Sequence, residues 1–416
     1  MNVSRFISSK TYSAFRQSLI RNIITISIVT TALSMTVMIV ASSVFEGFQQ
    51  QIAAKVFGFW GHIHITDVQS NRSIEAIPLQ ESGKIIDAIK SADYQSNGFN
   101  NNPVEAVHRF AVLPAISSHS NQYEGIFIKG VDKDFNWEFM HRFIKSGEVI
   151  SFEDTVFSRD IILSQQIADK LNIECGEELV MHFFLDNKHI QRKLKLSGVY
   201  RTGLEEYDKK FAIADIRLIQ QLMGWKPDQV TGLELFVKNL GQADLVNDFL
   251  YHEILPNSSY SETIRKKFPN IFEWLSLQDI NKRFILGIIL LVCIINMSTT
   301  ILILIMSRTQ MIGVLSSLGM TRWDQRNIFI RYGINILTRG ILLGNLIGLS
   351  ICLLQYKYKF IRLSEADYYL DHAPISLNPI LIITVNVVFF IIVAINLLIP
   401  SWLVSKVDPV KALRFR

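Results

Sequence analysis

The sequence predicts an α-helical membrane protein: four transmembrane helices with both termini inside (N-in/C-in), and a large mixed α+β extracytoplasmic domain between the first two spans. Three observations predict this. The 416-residue chain is 49% hydrophobic and only 19% charged, richer in apolar residues than one soluble domain needs. Those residues gather into long charge-free runs, Asn22 to Phe45 and Phe284 to Ser307 among them, each at or above the roughly 20 residues that cross a bilayer. Lys and Arg concentrate in the short segments that flank the runs on one side.

The first twenty-one residues carry Arg5, Lys10, Arg16 and Arg21 and no acid, with Phe6, Ile7, Phe15 and Leu19 placed to face lipid along a surface helix. Asn22 to Phe45 then reads as a span. A signal peptide cleaved at Ala41-Ser42-Ser43 is the rival reading, but the run is too long for a typical apolar signal core. The second span is Phe284 to Ser307; the third is Tyr332 to Leu354, interrupted by Arg339; the fourth lies within His372 to Ser405 and starts near Pro379. Between the second and third, Arg308, Arg322, Arg326 and Arg331 face one acid, Asp324, and the tail sets Lys406, Lys411, Arg414 and Arg416 against Asp408. Only Lys357, Lys359 and Arg362 lie in the opposite short loop. Basic short loops stay inside, which fixes the orientation. The expected domains are 1–45 (N-terminal amphipathic segment and first span), 46–280 (the outer domain), and 281–416 (three spans, with a cytoplasmic helix at 308–320).

Charge narrows the function. The inner segments hold twelve basic and two acidic residues, Arg339 adds one charge, and the outer loop sums to zero, so with a total of +5 the block from Glu46 to Met306 carries about −6. An acidic outer domain is a poor nucleic-acid ligand, because that affinity rests on neutralising phosphates.

Within the outer domain, His62 to Thr66 and Glu124 to Lys129 alternate as strands, and Glu178 to Tyr200 reads as two strands joined near Asp186-Asn187. Asp160 to Leu171, Asp215 to Met223 and Ala243 to Ile254 have helical periods, and Ser261 to Leu275 is expected to lead helically into the second span. Cys175 is the domain's single cysteine, and Cys293 and Cys352 fall in spans, so no disulfide framework supports this domain.

In the inner loop, Met311, Ile312, Val314, Leu315 and Leu318 recur at helical spacing, and Gly319 follows where a helix would stop. The expectation is a short amphipathic helix at the inner membrane face, with an apolar side offered to a partner; an ordinary interfacial helix packed on its own protein is the alternative. Gly340, Gly344 and Gly348 repeat every four residues, a face that lets another helix approach closely. Thr25, Ser27, Thr30, Thr31, Ser34 and Thr36 make the first span polar, suited to hydrogen bonds within a bundle.

No site for chemistry is expected. There is no G-x-x-x-x-G-K-[ST] phosphate loop, so any ATP is bound by a separate chain, and no G-x-S-x-G elbow. His62 and His64 share a strand face, but two ligands without a nearby Cys or carboxylate make no metal site. Glu205, Glu206 and Asp208, beside Lys209 and Lys210, read as a solvated loop rather than an acid/base pair. No cofactor is expected.

Several stretches carry a family resemblance. Arg308, Ile312-Gly313, Leu315, Leu318-Gly319 and Thr321 resemble the cytoplasmic coupling helix of permeases in the FtsX/MacB superfamily of ABC transporters, with Met311 where many members have an acid. Gly198, Tyr200, Gly203, Glu206, Tyr207 and Asp208 resemble the segment "G-(F/Y)-(S/T)G--EYD" typical of LolC/LolE subunits of the lipoprotein-releasing transporter, and IPSWLVSKVDPVKALRFR resembles their tail. The resemblance implies a MacB-like periplasmic core domain and a place in the bacterial inner membrane. It also implies a permease subunit, itself not an enzyme, that extracts lipoproteins and is driven through mechanotransmission by two copies of a cytoplasmic ABC ATPase. Further implied partners are a second permease subunit (self or paralogue), membrane lipid, and a periplasmic lipoprotein carrier. Carrier-docking subunits have a Pro- and Gly-rich hairpin where Phe183 to Arg192 is short and lacks both. A MacB/FtsX-type subunit for efflux or for control of cell-wall hydrolases is the alternative. If lipoprotein is handled, Met35, Met38, Val40, Ala41, Val44, Phe45 and Phe48, in the outer half of the first span, are the candidate cleft, since Met adapts to chains without fixed shape.

Overall fold

Four long helices organise the computed structural model, which describes residues 19–70, 77–152, 157–185 and 188–406. Arg5, Lys10 and Arg16, the tail from Val407, and Asp186-Asn187 lie outside the described residues. The helices are Leu19–Trp60, Pro269–Ser307, Arg322–Tyr358 and Pro379–Asn396, and all four are long and apolar enough to cross a membrane. The first has 42 residues, about 60 Å at 1.5 Å per residue, twice the roughly 30 Å of a bilayer core. Each of the first three therefore runs well past its charge-free stretch. The chain divides into two compact units, one of Met1–Gln50, Trp274–Arg362 and His372–Arg416, the other of Gln51–Glu273 with Leu363–Asp371.

The first unit is the helical bundle. Its core is built from side chains such as Met35, Ile39, Met297, Ile301, Ile336 and Phe389, while the helices' outer faces stay apolar, as a lipid-facing surface requires. Polar side chains cross between helices. Ser27 bonds Thr300, Thr36 Oγ1 donates to the Gly344 carbonyl at 3.1 Å, Asn345 and Asn386 exchange bonds of 2.6 and 3.0 Å, and Asn396 Nδ2 donates to Ser298 Oγ at 2.8 Å. Thr25 and Thr30 instead return to carbonyls of their own helix at 2.9 Å, so the polar first span divides into cross-helix and self-satisfied positions.

The second unit is a ten-stranded sheet: β1 (Ile63–Asp67), β2 (Val104–His119), β3 (Gln122–Val131), β4 (Ile144–Gly147), β5 (Asp160–Ser164), β6 (Glu178–Leu185), β7 (Lys188–Tyr200), β8 (Phe211–Asp215), β9 (Gly232–Val237) and β10 (Ser259–Thr263). The order is β10-β1-β9-β2-β3-β8-β5-β7-β4, with β6 bridging β2 and β7. Pairing is antiparallel except for β3 with β8 and β5 with β7. Short helices close it through local chemistry. Ser164 caps Gln165–Leu171 by accepting from the Ile167 amide, and Asn172 ends it at φ +50°; Asp215 caps Ile216–Met223, which stops at Gly224.

Two expected helices start as strands. Asp160 to Ser164 is β5, held between β7 and β8, and only Gln165 onward is helical; Ser261 to Thr263 belongs to β10 against β1. In both, ladder partners far away in sequence override the local period.

At the centre of this unit the Lys129 ammonium is wholly buried, 2.7 Å from Glu234 Oε1, bonded to the Phe59 carbonyl, and 4.4 Å from the Trp60 ring centroid. Burial pushes the Lys129 ammonium down against the pull of Glu234, and pushes the Glu234 carboxyl up against the pull of Lys129.

Candidate functional site: the loop helix and the glycine seam

The loop between the second and third spans forms a helix over Thr309–Ser317, ended by Leu318 and then by Gly319 at φ +84°, a value that favours glycine. It is fixed to the next helix by Gln325, buried, whose Nε2 donates to Ser316 Oγ at 2.8 Å and to the Met320 carbonyl at 3.1 Å. Thr321 then caps the third-span helix. The apolar residues divide by direction. Ile312 is 1% exposed and joins the bundle core, with Met311 and Leu315 half-buried against it. Val314 and Leu318, one turn apart, are 48% and 78% exposed. One face of the helix thus packs on its own protein, and a narrow apolar ridge faces away from the bundle, continued by exposed Trp323, over which Arg326 sits at 5.2 Å.

The three glycines face the first span. A Cβ on Gly340 would lie 2.6 Å from Thr31 Cβ, one on Gly344 2.6 Å from the Ala32 carbonyl oxygen and Met35 Cβ, and one on Gly348 3.3 Å from Ile39 Cβ. The first two distances are closer than any real side chain tolerates. Only glycine permits this backbone approach, and with it the Thr36 to Gly344 hydrogen bond.

Of the cleft candidates, Met35 and Met38 are buried inside the bundle, Met35 against Gly344, while Val40, Ala41, Val44, Phe45 and Phe48 are half-buried. The histidines are occupied: His62 Nδ1 accepts from the Val237 amide and His64 Nε2 bonds the Trp60 carbonyl, both at 2.8 Å. His62 stands just before β1 rather than within it. The carboxylate cluster is not a solvated loop throughout. Glu205 pairs with Lys209, but Asp208 is buried, accepting from Thr202 Oγ1 (2.7 Å) and the amides of Thr202 (3.2 Å) and Gly203 (2.9 Å). Burial raises its carboxyl pKa against these bonds. The adjacent lysines signal solvent; nothing in the local sequence signals that the third acid turns inward.

Residues 283–409, which include the loop helix and the glycine seam, match the FtsX-like permease C-terminal family. That stretch is similar to an FtsX-like permease domain. Similarity to curated proteins extends beyond that FtsX-like domain over nearly the whole length. The chain is 21% identical over 406 residues to the lipoprotein-releasing system transmembrane protein LolC of Xylella fastidiosa, covering 94% of this chain and 93% of the relative. It is 20% identical over 436 residues to LolE of Haemophilus influenzae, covering 99% of both. The periplasmic region of MacB from Actinobacillus actinomycetemcomitans superposes with a TM-score of 0.33 at 10% identity, over 50% of this chain and 92% of that one.

Proposed function

We propose that this chain is a permease subunit of an ABC transporter that releases lipoproteins from a membrane. The single observation that carries this is length-wide similarity to LolC and LolE proteins, with the FtsX-like match taking in the second, third and fourth of the four spans. The chain itself performs no catalysis. Its finer features form one mechanism. Both termini and the Thr309–Ser317 helix are cytoplasmic, a reading that the Lys/Arg asymmetry supports. The stretch from 46 to 280 is a periplasmic domain of MacB-like core type, and the membrane is the bacterial inner one. Two copies of a separate ATPase bind the loop helices of this subunit and a second permease subunit, seating Val314 and Leu318 in a groove. Closure on ATP biases a two-state element and needs no pore through the spans. Lipoprotein acyl chains enter beside the half-buried Val40, Ala41, Val44, Phe45 and Phe48, with Met35 and Met38 behind them, and a periplasmic carrier receives the product.

The test is to purify the chain with its native partners, identify the ATPase and any acylated protein bound, and measure ATP-dependent transfer of lipoprotein from proteoliposomes. Co-purification without an ATPase, or ATP hydrolysis that never mobilises lipoprotein, refutes the reading.

A further inference from the structure

The loop Leu363–Asp371, whose two ends continue into the third and fourth spans, belongs to the strand-rich unit. It closes on itself through the Leu363 amide and the Asp371 carbonyl at 3.0 Å, contains one helical turn (Glu365–Tyr368), and buries Leu370. It rests on the turn that follows β7. There Asp208 gathers Thr202 and Gly203, the Thr202 hydroxyl accepts in turn from the Leu204 amide (3.1 Å), and Gly203 adopts φ +77°. A Cβ on Gly203 would lie 3.0 Å from Glu365 Oε1, 3.1 Å from Lys55 Nζ and 3.1 Å from the Tyr369 carbonyl oxygen. The glycine is required for both its conformation and its lack of a side chain. Around it, Lys55 Nζ donates to the Tyr369 carbonyl at 2.7 Å and Arg201 pairs with Glu365.

We propose that the Thr202–Asp208 turn is a socket for the 363–371 loop, latched by Lys55, Arg201 and Glu365, and that the latch stays shut through the transport cycle so that loop and strand-rich unit move as one body. Three segments far apart in sequence meet here with opposite charges in contact. A buried acid serves only to shape the turn, and a glycine leaves the gap the loop fills. A loop that merely drifted over the surface would need none of these. The acids of the Glu205–Asp208 segment then divide their work: Asp208 builds the socket, and the half-buried Glu205 pairs along its helix with Lys209. Lys55, Arg201, Glu365 and Asp208 are positioning residues that touch no substrate. The transmission part of the proposal rests on the permease reading; the docking part does not.

The test uses the full chain with its ATPase in nanodiscs. Glu365→Gln should speed hydrogen exchange across 363–371 about fivefold, the scale of one partly exposed ion pair, and Arg201→Gln/Glu365→Gln should add little to either single change. Lipoprotein release should fall severalfold while ATP hydrolysis continues. In a Cys175→Ser background, Arg201→Cys/Glu365→Cys joined by a short bismaleimide should restore release to at least half of wild type. Unchanged exchange in Glu365→Gln overturns the socket, and release abolished by the cross-link overturns the single-body motion. If the unaltered chain releases no lipoprotein, the permease reading fails, and exchange alone decides the latch.

Discussion

Leu318→Glu is the sharpest perturbation of the loop helix, because the side chain is 78% exposed in the isolated chain. Substitutions at such positions change stability by no more than about 0.5 kcal/mol, so the bundle should fold and insert as before. In the complex the same residue would be enclosed. Losing a buried Leu removes roughly 1.5–3 kcal/mol of apolar burial, and an unpaired carboxylate in its place costs about another 2 kcal/mol or more. The sum, about 4 kcal/mol or more, corresponds to roughly a thousandfold in dissociation constant. Ile312→Ala should do the reverse: its side chain is 1% exposed in the bundle core, so it should cost about 2–4 kcal/mol of bundle stability, by cavity formation. Thr309→Glu, outside the ridge at the helix start, where an acid suits the helix dipole, should be mild. The assay is ATPase binding to the purified chain by interferometry, with melting of the chain alone as control. Leu318→Glu with near-normal ATPase affinity would refute the outward-ridge reasoning and return the helix to a purely internal role.

Three further outcomes follow from packing and charge. Gly344→Leu forces atoms into space already 2.6 Å from Ala32 and Met35; it should separate the first and third spans and lower the yield of folded chain, as read by size exclusion in detergent, whereas Gly287→Leu, where nothing lies within 4 Å, should not. Lys129→Met leaves Glu234 buried without its cation and should cost about 3–5 kcal/mol in chemical denaturation of the strand-rich unit, most of it recovered in Lys129→Met/Glu234→Leu; equal loss in both variants would remove the ion pair from the account. Burial lowers the His62 pKa to about 4 from 6.5, so the folded state stays neutral there while the unfolded chain gains a proton. His62's contribution is therefore intact above pH 6.5 and lost as pH falls to 4, by up to about 3 kcal/mol, and His62→Phe should flatten that part of the denaturation profile.

Much of the membrane unit was legible in the sequence because its signals are long and one-dimensional. A charge-free run of 24 residues needs no partner to be recognised, and a glycine every fourth position marks a close approach wherever the neighbour lies. The strands divided by environment. β1, β3, β6 and β7 carry alternation. β9, Gly232–Val237, is buried at every position, so it has no alternation to show, and its Glu234 looks like a surface residue until Lys129 is placed beside it from β3. The loop helix shows the same limit. Periodicity names Met311, Ile312, Val314, Leu315 and Leu318 as one apolar set, yet which of them face the bundle depends on Gln325 and the third span. Asp208 is the plainest case: two neighbouring lysines signal solvent, while Thr202 and Gly203, six and five residues upstream, turn it inward.

The cross-helix hydrogen bonds explain why a force applied at Leu318 would not dissipate. Ser27 to Thr300 joins the first and second spans, Ser298 to Asn396 the second and fourth, Asn386 to Asn345 the fourth and third, and Gly344 to Thr36 the third and first. They make a closed ring through all four helices. Each bond is worth only about 0.6 kcal/mol on average in a membrane, too little to drive folding. Their value lies in register: a one-turn slip of any helix breaks at least two of them, and leaves polar groups in hydrocarbon with no water to replace the lost partner. The glycine seam adds a steric lock on rotation of the third-span helix, because turning it would bring a larger residue against Thr31 or Met35. With Ile312 in the bundle core and Gln325 tying the loop helix to the third span, displacement of that helix must move the ring as a unit. Breaking Asn345 to Asn386 with Asn386→Leu should therefore leave ATPase binding intact yet lower the release obtained per ATP. An unchanged ratio would mean that the bundle transmits motion by packing alone.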